Sequence, residues 1–153
     1  MQQASKIRSV VQRIDEGTVP DTFHDLPKLI SPKIHRWLDV AVTGYFATLG
    51  VWFAVRGKRR PATAAFVNAG MVAGVSLLTD YEGSGNKPIN FKLHGTLDAV
   101  QATKAALAPV LYDFAEEPES AFFYGQAINE LVVIASTDWD KGMASASRRK
   151  AAW

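Results

Sequence analysis

Residues 33–40 read Lys33-Ile34-His35-Arg36-Trp37-Leu38-Asp39-Val40, and residues 92–99 answer with Lys92-Leu93-His94-Gly95-Thr96-Leu97-Asp98-Ala99. Lysine, an aliphatic residue, histidine, leucine and aspartate recur in the same order, 59 positions apart from His35 to His94. A second phrase recurs in the same way. Thr79-Asp80-Tyr81-Glu82 closes the first stretch and Thr137-Asp138-Trp139-Asp140 closes the second, 58 positions apart from Thr79 to Thr137. The chain therefore reads as a duplicated unit: H-x-x-L-D, an apolar run, a turn, a second apolar run, then T-D-aromatic-acid.

Four mostly apolar blocks lie between these phrases. From Trp37 to Val55, Asp39 is the one charged residue in nineteen, and nineteen helical residues rise about 28 Å, the thickness of a bilayer's hydrocarbon core. Ser31-Pro32 ahead of the block offers an N-cap and a first-turn proline. Arg56 to Pro61 forms a short basic turn, and Ala62 to Thr79 is a second, uncharged run rich in small residues that let helices approach closely in lipid. A short turn between two such runs implies an antiparallel helical hairpin. Asn90 then takes the N-cap place that Ser31 held. The third block, His94 to Phe114, contains Asp98, Lys104 and Pro109, and the fourth, Ala121 to Thr137, contains Gln126, Asn129 and Glu130, with the acidic turn Asp113 to Glu119 between them.

The expected fold is an all-α, four-helix transmembrane bundle of two tandem helical hairpins, related by a pseudo-two-fold axis along the membrane normal. Residues 31–82 form the first hairpin, 83–89 a linker and 90–140 the second. Residues 1–30 are an amphipathic segment and loop, with Ile7, Val10, Val11 and Ile14 on one helical face. Residues 141–153 are an Ala/Ser-rich flexible tail.

Composition narrows the function classes. With 48% apolar and 21% charged residues, the chain suits a globular domain or a short polytopic membrane protein. No cysteine is present, which removes disulfides, thiolate metal sites and cysteine nucleophiles. A net charge of +2 is too mild for a nucleic-acid partner. No uninterrupted apolar stretch opens the chain, so no cleaved signal peptide is expected.

The first two blocks favour a membrane, because surface helices of soluble bundles carry charge every few residues. Aromatic residues near the block ends (Trp37, Trp52, Phe53, Tyr81, Tyr112, Trp139) suit an interfacial belt. The third block favours a soluble four-helix bundle instead, since Asp98, Lys104 and Asp113 are costly facing lipid unless they turn inward or pair. Lys104 has Glu130 as a possible ion-pair partner on the neighbouring helix. The face with both termini and the linker holds 12 Lys and Arg against 4 at the hairpin turns, which favours cytoplasmic termini although the Arg56–Arg60 cluster pulls the other way.

Both H-x-x-x-D motifs begin their hairpins and both T-D-aromatic-acid motifs end theirs, so all four fall at one face of the bundle. His35 and Asp39 share one side of a helix, as do His94 and Asp98. Asp80 and Asp138 arrive from the second and fourth helices, giving a candidate ring of two histidines and four aspartates. Deeper in, Asn68 and Gln126 hold equivalent places as a secondary polar pair. Imidazole and carboxylate together suit a divalent metal such as zinc, iron or manganese, and the ring also suits a proton relay or metal-activated water. The plainer alternative is local His–Asp pairing at helix starts. A haem between His35 and His94 is disfavoured by the position of both at helix starts. No dinucleotide, phosphate-loop, serine-hydrolase or zincin motif is present, and His24 beside Asp25 reads as surface decoration.

The second copy resembles the SPW-repeat class of small bacterial integral-membrane proteins. The likeness rests on His94 to Asp98, on Ala108-Pro109-Val110-Leu111 followed by Phe114, and on a second-helix run ending at Ser136-Thr137. It covers about residues 33–140. The triplet here is Ala-Pro-Val where the class has Ser-Pro-Trp, and Leu49-Gly50-Val51 stands at the matching place in the first copy. The resemblance implies a multi-pass protein of the bacterial inner membrane and carries no activity with it. The expectation is a small, non-enzymatic membrane protein that acts in the lipid bilayer through assembly with itself or another membrane protein. The alternatives are a membrane enzyme or metal- or proton-handling protein using the His/Asp ring, and a soluble four-helix bundle.

Overall fold

The computed structural model describes residues 27–141. The expected amphipathic helix near the N-terminus and the tail after Lys141 lie outside the described residues. Four helices dominate the structure: α1 (Pro32–Val55), α2 (Arg59–Leu78), α3 (Phe91–Leu111) and α4 (Ser120–Ser136). Two short strands, β1 (Thr79–Asp80) and β2 (Ile89–Asn90), lie between α2 and α3. The protein is all-α in class, as the four apolar blocks predict.

Local chemistry sets the helix starts. Ser31 Oγ accepts from the Ile34 amide at 3.4 Å with Pro32 in the first turn, and Asn90 Oδ1 accepts from the Leu93 amide at 2.8 Å. Each cap satisfies one amide that the helix itself leaves unpaired. Gly57, at φ +74°, provides the left-handed residue that lets α1 turn into α2 within three residues. Asp113, at φ +58°, does the same after α3 and is held there by Arg60, which bonds both its carboxylate (2.8 Å) and its carbonyl (3.0 Å). Lys58 meets Glu117 at 2.7 Å and Glu119 at 3.5 Å, and the Glu117 carboxylate holds its ammonium above the ordinary lysine value. The basic and acidic turns are therefore partners at one end of the bundle.

The opposite end is closed by backbone pairing. β1 and β2 run parallel, with Thr79 opposite Ile89. Ile30 and Thr137 form an isolated parallel bridge of the same kind. The extended residue that leads into each hairpin thus pairs with the residue that ends the other one, Ile89 with Thr79 and Ile30 with Thr137.

The apolar core occupies the half of the bundle nearer the hairpin turns. Phe46, Phe53, Phe114 and Phe123 fill it, among alanines 62, 64, 65, 69, 105, 108 and 127. Small residues on α2 and α3 leave room for the four rings. The other half of the interior is polar: His35, Asp39, Asn68, Thr79, His94, Asp98, Gln101 and Thr137 are all buried. The outer surface has the opposite character. Trp37 is 66% exposed, Val110 64% and Ile128 65%, and large apolar residues face outward on every helix. Among the described residues, α1 and α2 are long and apolar enough to cross a membrane.

Truncating a core ring should cost packing, and truncating an outward side chain should not. Phe123→Ala, which empties a fully buried site against Phe46 and Phe114, is expected to destabilise the fold by about 3 kcal/mol. Val110→Ala is expected to leave the thermal transition, followed by circular dichroism, close to that of the parent.

Candidate metal centre

Four buried side chains converge at the polar end of the interior. A four-residue step on a helix puts His35 and Asp39 on one side of α1, and the same step puts His94 and Asp98 on one side of α3. The two histidines are 1% exposed. Their Nε2 atoms face each other at 3.2 Å. His35 Nε2 lies 3.0 Å from Asp98 Oδ2 and 3.5 Å from Asp39 Oδ1. His94 Nε2 lies 3.3 Å from both Asp39 Oδ2 and Asp98 Oδ2. Each imidazole thus reaches the carboxylate of its own helix and that of the other.

The far side of each ring fixes its protonation. Thr137 Oγ1 is 3.0 Å from His35 Nδ1, and Thr79 Oγ1 is 2.8 Å from His94 Nδ1. Both hydroxyls donate to the carbonyl one turn back, Thr137 to Val133 and Thr79 to Val75, at 2.7 Å each. A hydroxyl has one hydrogen to give. Each threonine must therefore accept from its histidine, and Nδ1 carries the proton on both rings. In the neutral imidazole this leaves Nε2 as a bare lone pair. In that form two lone pairs and two carboxylates point at one small volume, and in the doubly protonated form each Nε2–H donates to the carboxylates beside it.

Such a set can be satisfied by a cation at its centre or by extra protons on the rings. A tetrahedral ion with bonds of about 2.0–2.1 Å holds its ligand atoms about 3.3 Å apart; the histidine–histidine and histidine–carboxylate separations here run from 3.0 to 3.5 Å, with Asp39 facing the two rings through different oxygens. His35, Asp39 and His94 meet the spacing of a three-ligand metal group. The Nδ1–H to threonine bonds are the outer-shell contacts that orient metal-binding imidazoles. A haem does not fit, because 3.2 Å between the two Nε2 atoms leaves no room for a macrocycle.

Aromatic residues from the ends of the hairpins close the cluster off. Phe91 stacks near His94 and meets His35 edge-on, while Trp139 packs edge-on to His35 with centroids 5.0 Å apart. The Tyr81 hydroxyl donates to Asp39 Oδ2 and lies 2.9 Å from Ser76 Oγ. Burial, and next the charge of Asp39, hold the Tyr81 phenol above its ordinary range, so it stays a donor.

The remaining sequence candidates lie elsewhere. Asp80 accepts from Ser84 Oγ at 3.0 Å and from the Gly85 amide at 2.5 Å, so it organises the 81–88 turn. Burial alone would raise its carboxyl, but these bonds hold it below the ordinary value. Asp138 accepts from Lys141, whose bonds lower it likewise. The ring thus contains two aspartates, not four. Asn68 and Gln126 do not meet: Gln101 Nε2 donates to Asn68 at 2.6 Å, and Gln126 bonds Glu130 on its own helix at 3.1 Å. Lys104 directs its ammonium at Met71 on α2 in place of Glu130. The sequence reading named Thr79 and Thr137 as markers of the repeat and missed their chemical role. Their recurrence in step with the histidines was the available signal. Gln101 was missed altogether.

Comparison of the chain with protein-family profiles, with curated proteins and with solved structures finds no match.

Removing either threonine hydroxyl orphans a buried imidazole N–H. Thr79→Val and Thr137→Val are each expected to lower stability by about 1–3 kcal/mol. Thr103→Val is the control, because the Thr103 hydroxyl makes the same bond one turn back, to Ala99, on an exposed surface. It should leave chemical denaturation unchanged.

Proposed function

We propose that the chain is a small, four-span integral-membrane protein, non-enzymatic, whose two tandem hairpins are stapled by one divalent transition-metal ion held by His35, Asp39, His94 and Asp98. The observation that carries this reading is the pair of imidazole Nε2 atoms facing each other with two carboxylates in a closed interior. A divalent ion offsets both carboxylate charges, and a mixed nitrogen and oxygen set suits zinc, manganese or iron. Four protein ligands make a closed site, the mark of a structural metal. The ion would join α1 to α3, and therefore the first hairpin to the second.

The membrane part rests on the distribution of polarity. Side chains that water would draw outward are inside, and Trp37, Val51, Val100, Leu107, Leu131 and Val132 are outside. The charge on α3 that argues against lipid, Asp98, faces the interior. α4 has 17 residues, at the short end of what crosses a bilayer. The SPW-repeat likeness and a place in a bacterial inner membrane with cytoplasmic termini belong to the same proposal. Assembly with a second copy or another membrane protein is favoured by Gly70 and Gly74, four apart on α2, where an added Cβ would meet nothing within 4 Å.

One observation favours a second reading, a metal that also activates water. A cavity of about 50 Å³ touches His94, Asp98 and Gln101, and Gln101 Oε1 is buried without a hydrogen-bond partner. A water there would have an acceptor on one side and the centre on the other.

Membranes washed in alkaline carbonate should retain the full chain, and detergent extraction should then yield about one zinc, manganese or iron per chain. His35→Ala with His94→Ala should lose the metal and stay in the membrane. Release by the wash would overturn the membrane reading. A metal-free parent, with the double variant merely less stable, would overturn the staple.

A further inference from the structure

A groove of about 430 Å³ opens on the outer side of α1, lined by Lys33, Arg36, Trp37, Val40, Tyr81 and Glu82. Its α1 residues follow the steps 33, 36, 37 and 40, which is one stripe on a helix surface. The stripe is graded. Two cations come first, then an indole, then an aliphatic side chain, over about 10 Å of helix rise. All four are exposed, with Trp37 at 66% and Val40 at 52%. Trp37 and Val40 thus keep at least half of their surface outside the core, directly beneath a pair of cations.

The second hairpin treats the equivalent place differently. Arg36 and Trp37 correspond to Gly95 and Thr96, and Tyr81 corresponds to Trp139. There the Trp139 ring lies over Gly95, so closely that an added Cβ would meet it at 3.0 Å. The groove therefore sits where the two copies diverge, which makes it a feature of the first hairpin alone and no by-product of the repeat.

We infer that this groove binds the headgroup of an anionic phospholipid, its phosphate between Lys33 and Arg36 and the start of an acyl chain along Trp37 and Val40. The inference rests on the membrane reading and is independent of the metal. Guanidinium and ammonium donors give charge-assisted hydrogen bonds to phosphate oxygens. Tryptophan favours the depth at which headgroup gives way to hydrocarbon. Among the described residues, the same face carries Lys28, Lys33, Arg36, Lys87, Lys92 and Lys141, as juxtamembrane surfaces on anionic leaflets do.

The test is native mass spectrometry of the detergent-purified full chain supplied with phosphatidylglycerol and phosphatidylcholine in equal amounts. The parent should retain phosphatidylglycerol in preference by on the order of tenfold. Lys33→Ala with Arg36→Ala should abolish that preference, and Lys87→Ala with Lys92→Ala, which removes two exposed cations of the same face, should keep it. Equal retention of the two lipids, or a preference that survives Lys33→Ala with Arg36→Ala, would overturn the inference. So would displacement of the lipid by millimolar inorganic phosphate, which would assign the groove to free phosphate. A chain that inserts into vesicles without headgroup preference sinks this proposal alone, whereas a chain that stays soluble and takes up no lipid sinks the membrane reading with it.

Discussion

Two imidazole Nε2 atoms 3.2 Å apart, each ring held from its far side by a threonine hydroxyl and faced by two buried carboxylates, set the terms for the rest of this structure. Groups that can only accept repel one another in a low-dielectric interior, and burying two carboxylates beside them costs several kcal/mol per ion unless a cation offsets them. A fold that brings these groups together must supply that cation or hold extra protons on the rings. The threonine hydroxyls decide where the Nδ1 protons sit. Because each threonine belongs to the hairpin that does not own its histidine, the centre also ties the two halves together.

The rest of the architecture follows from placing this centre in an apolar body. Polar side chains occupy one half of the interior and four phenylalanines packed among alanines occupy the other. The two halves need different packing. Rings and small residues allow close helix contact near the turns, while the polar half is held by directional bonds and by the parallel pairing of Thr79 with Ile89 and Thr137 with Ile30. Outside, large aliphatic and aromatic side chains cover all four helices. The charged turns meet each other, through Lys58 with Glu117 and Arg60 with Asp113.

Much of this was legible in the sequence, for reasons that can be named. The four-residue step of His35 to Asp39 and His94 to Asp98 is a helical period, so each pair had to share a face once the apolar runs were read as helices. Ser31 and Asn90 carry cap chemistry that does not depend on tertiary context. The ring of four aspartates was illegible because Thr79 and Asp80 lie in extended backbone, where successive side chains point opposite ways. The threonine turns toward the histidine, so the aspartate turns away into the 81–88 turn. The Lys104 and Glu130 pairing failed for another reason: α3 has a neighbour on each side, and composition alone does not choose between Met71 on α2 and Glu130 on α4. The groove beside α1 depends on how Tyr81 and Glu82 fold back, which no local pattern encodes.

The claim on which all of this turns is that both Nε2 atoms are ligands to one ion. X-ray absorption at the zinc edge, on the full chain purified in detergent and loaded with one equivalent of zinc, addresses it directly. The expected spectrum shows imidazole scattering from two rings and two carboxylate oxygens, at about 2.0–2.1 Å from the metal. A hydrated, oxygen-only shell without imidazole scattering, or a chain that keeps no zinc through gel filtration, would contradict the account and leave the centre as a proton-sharing His/Asp cluster.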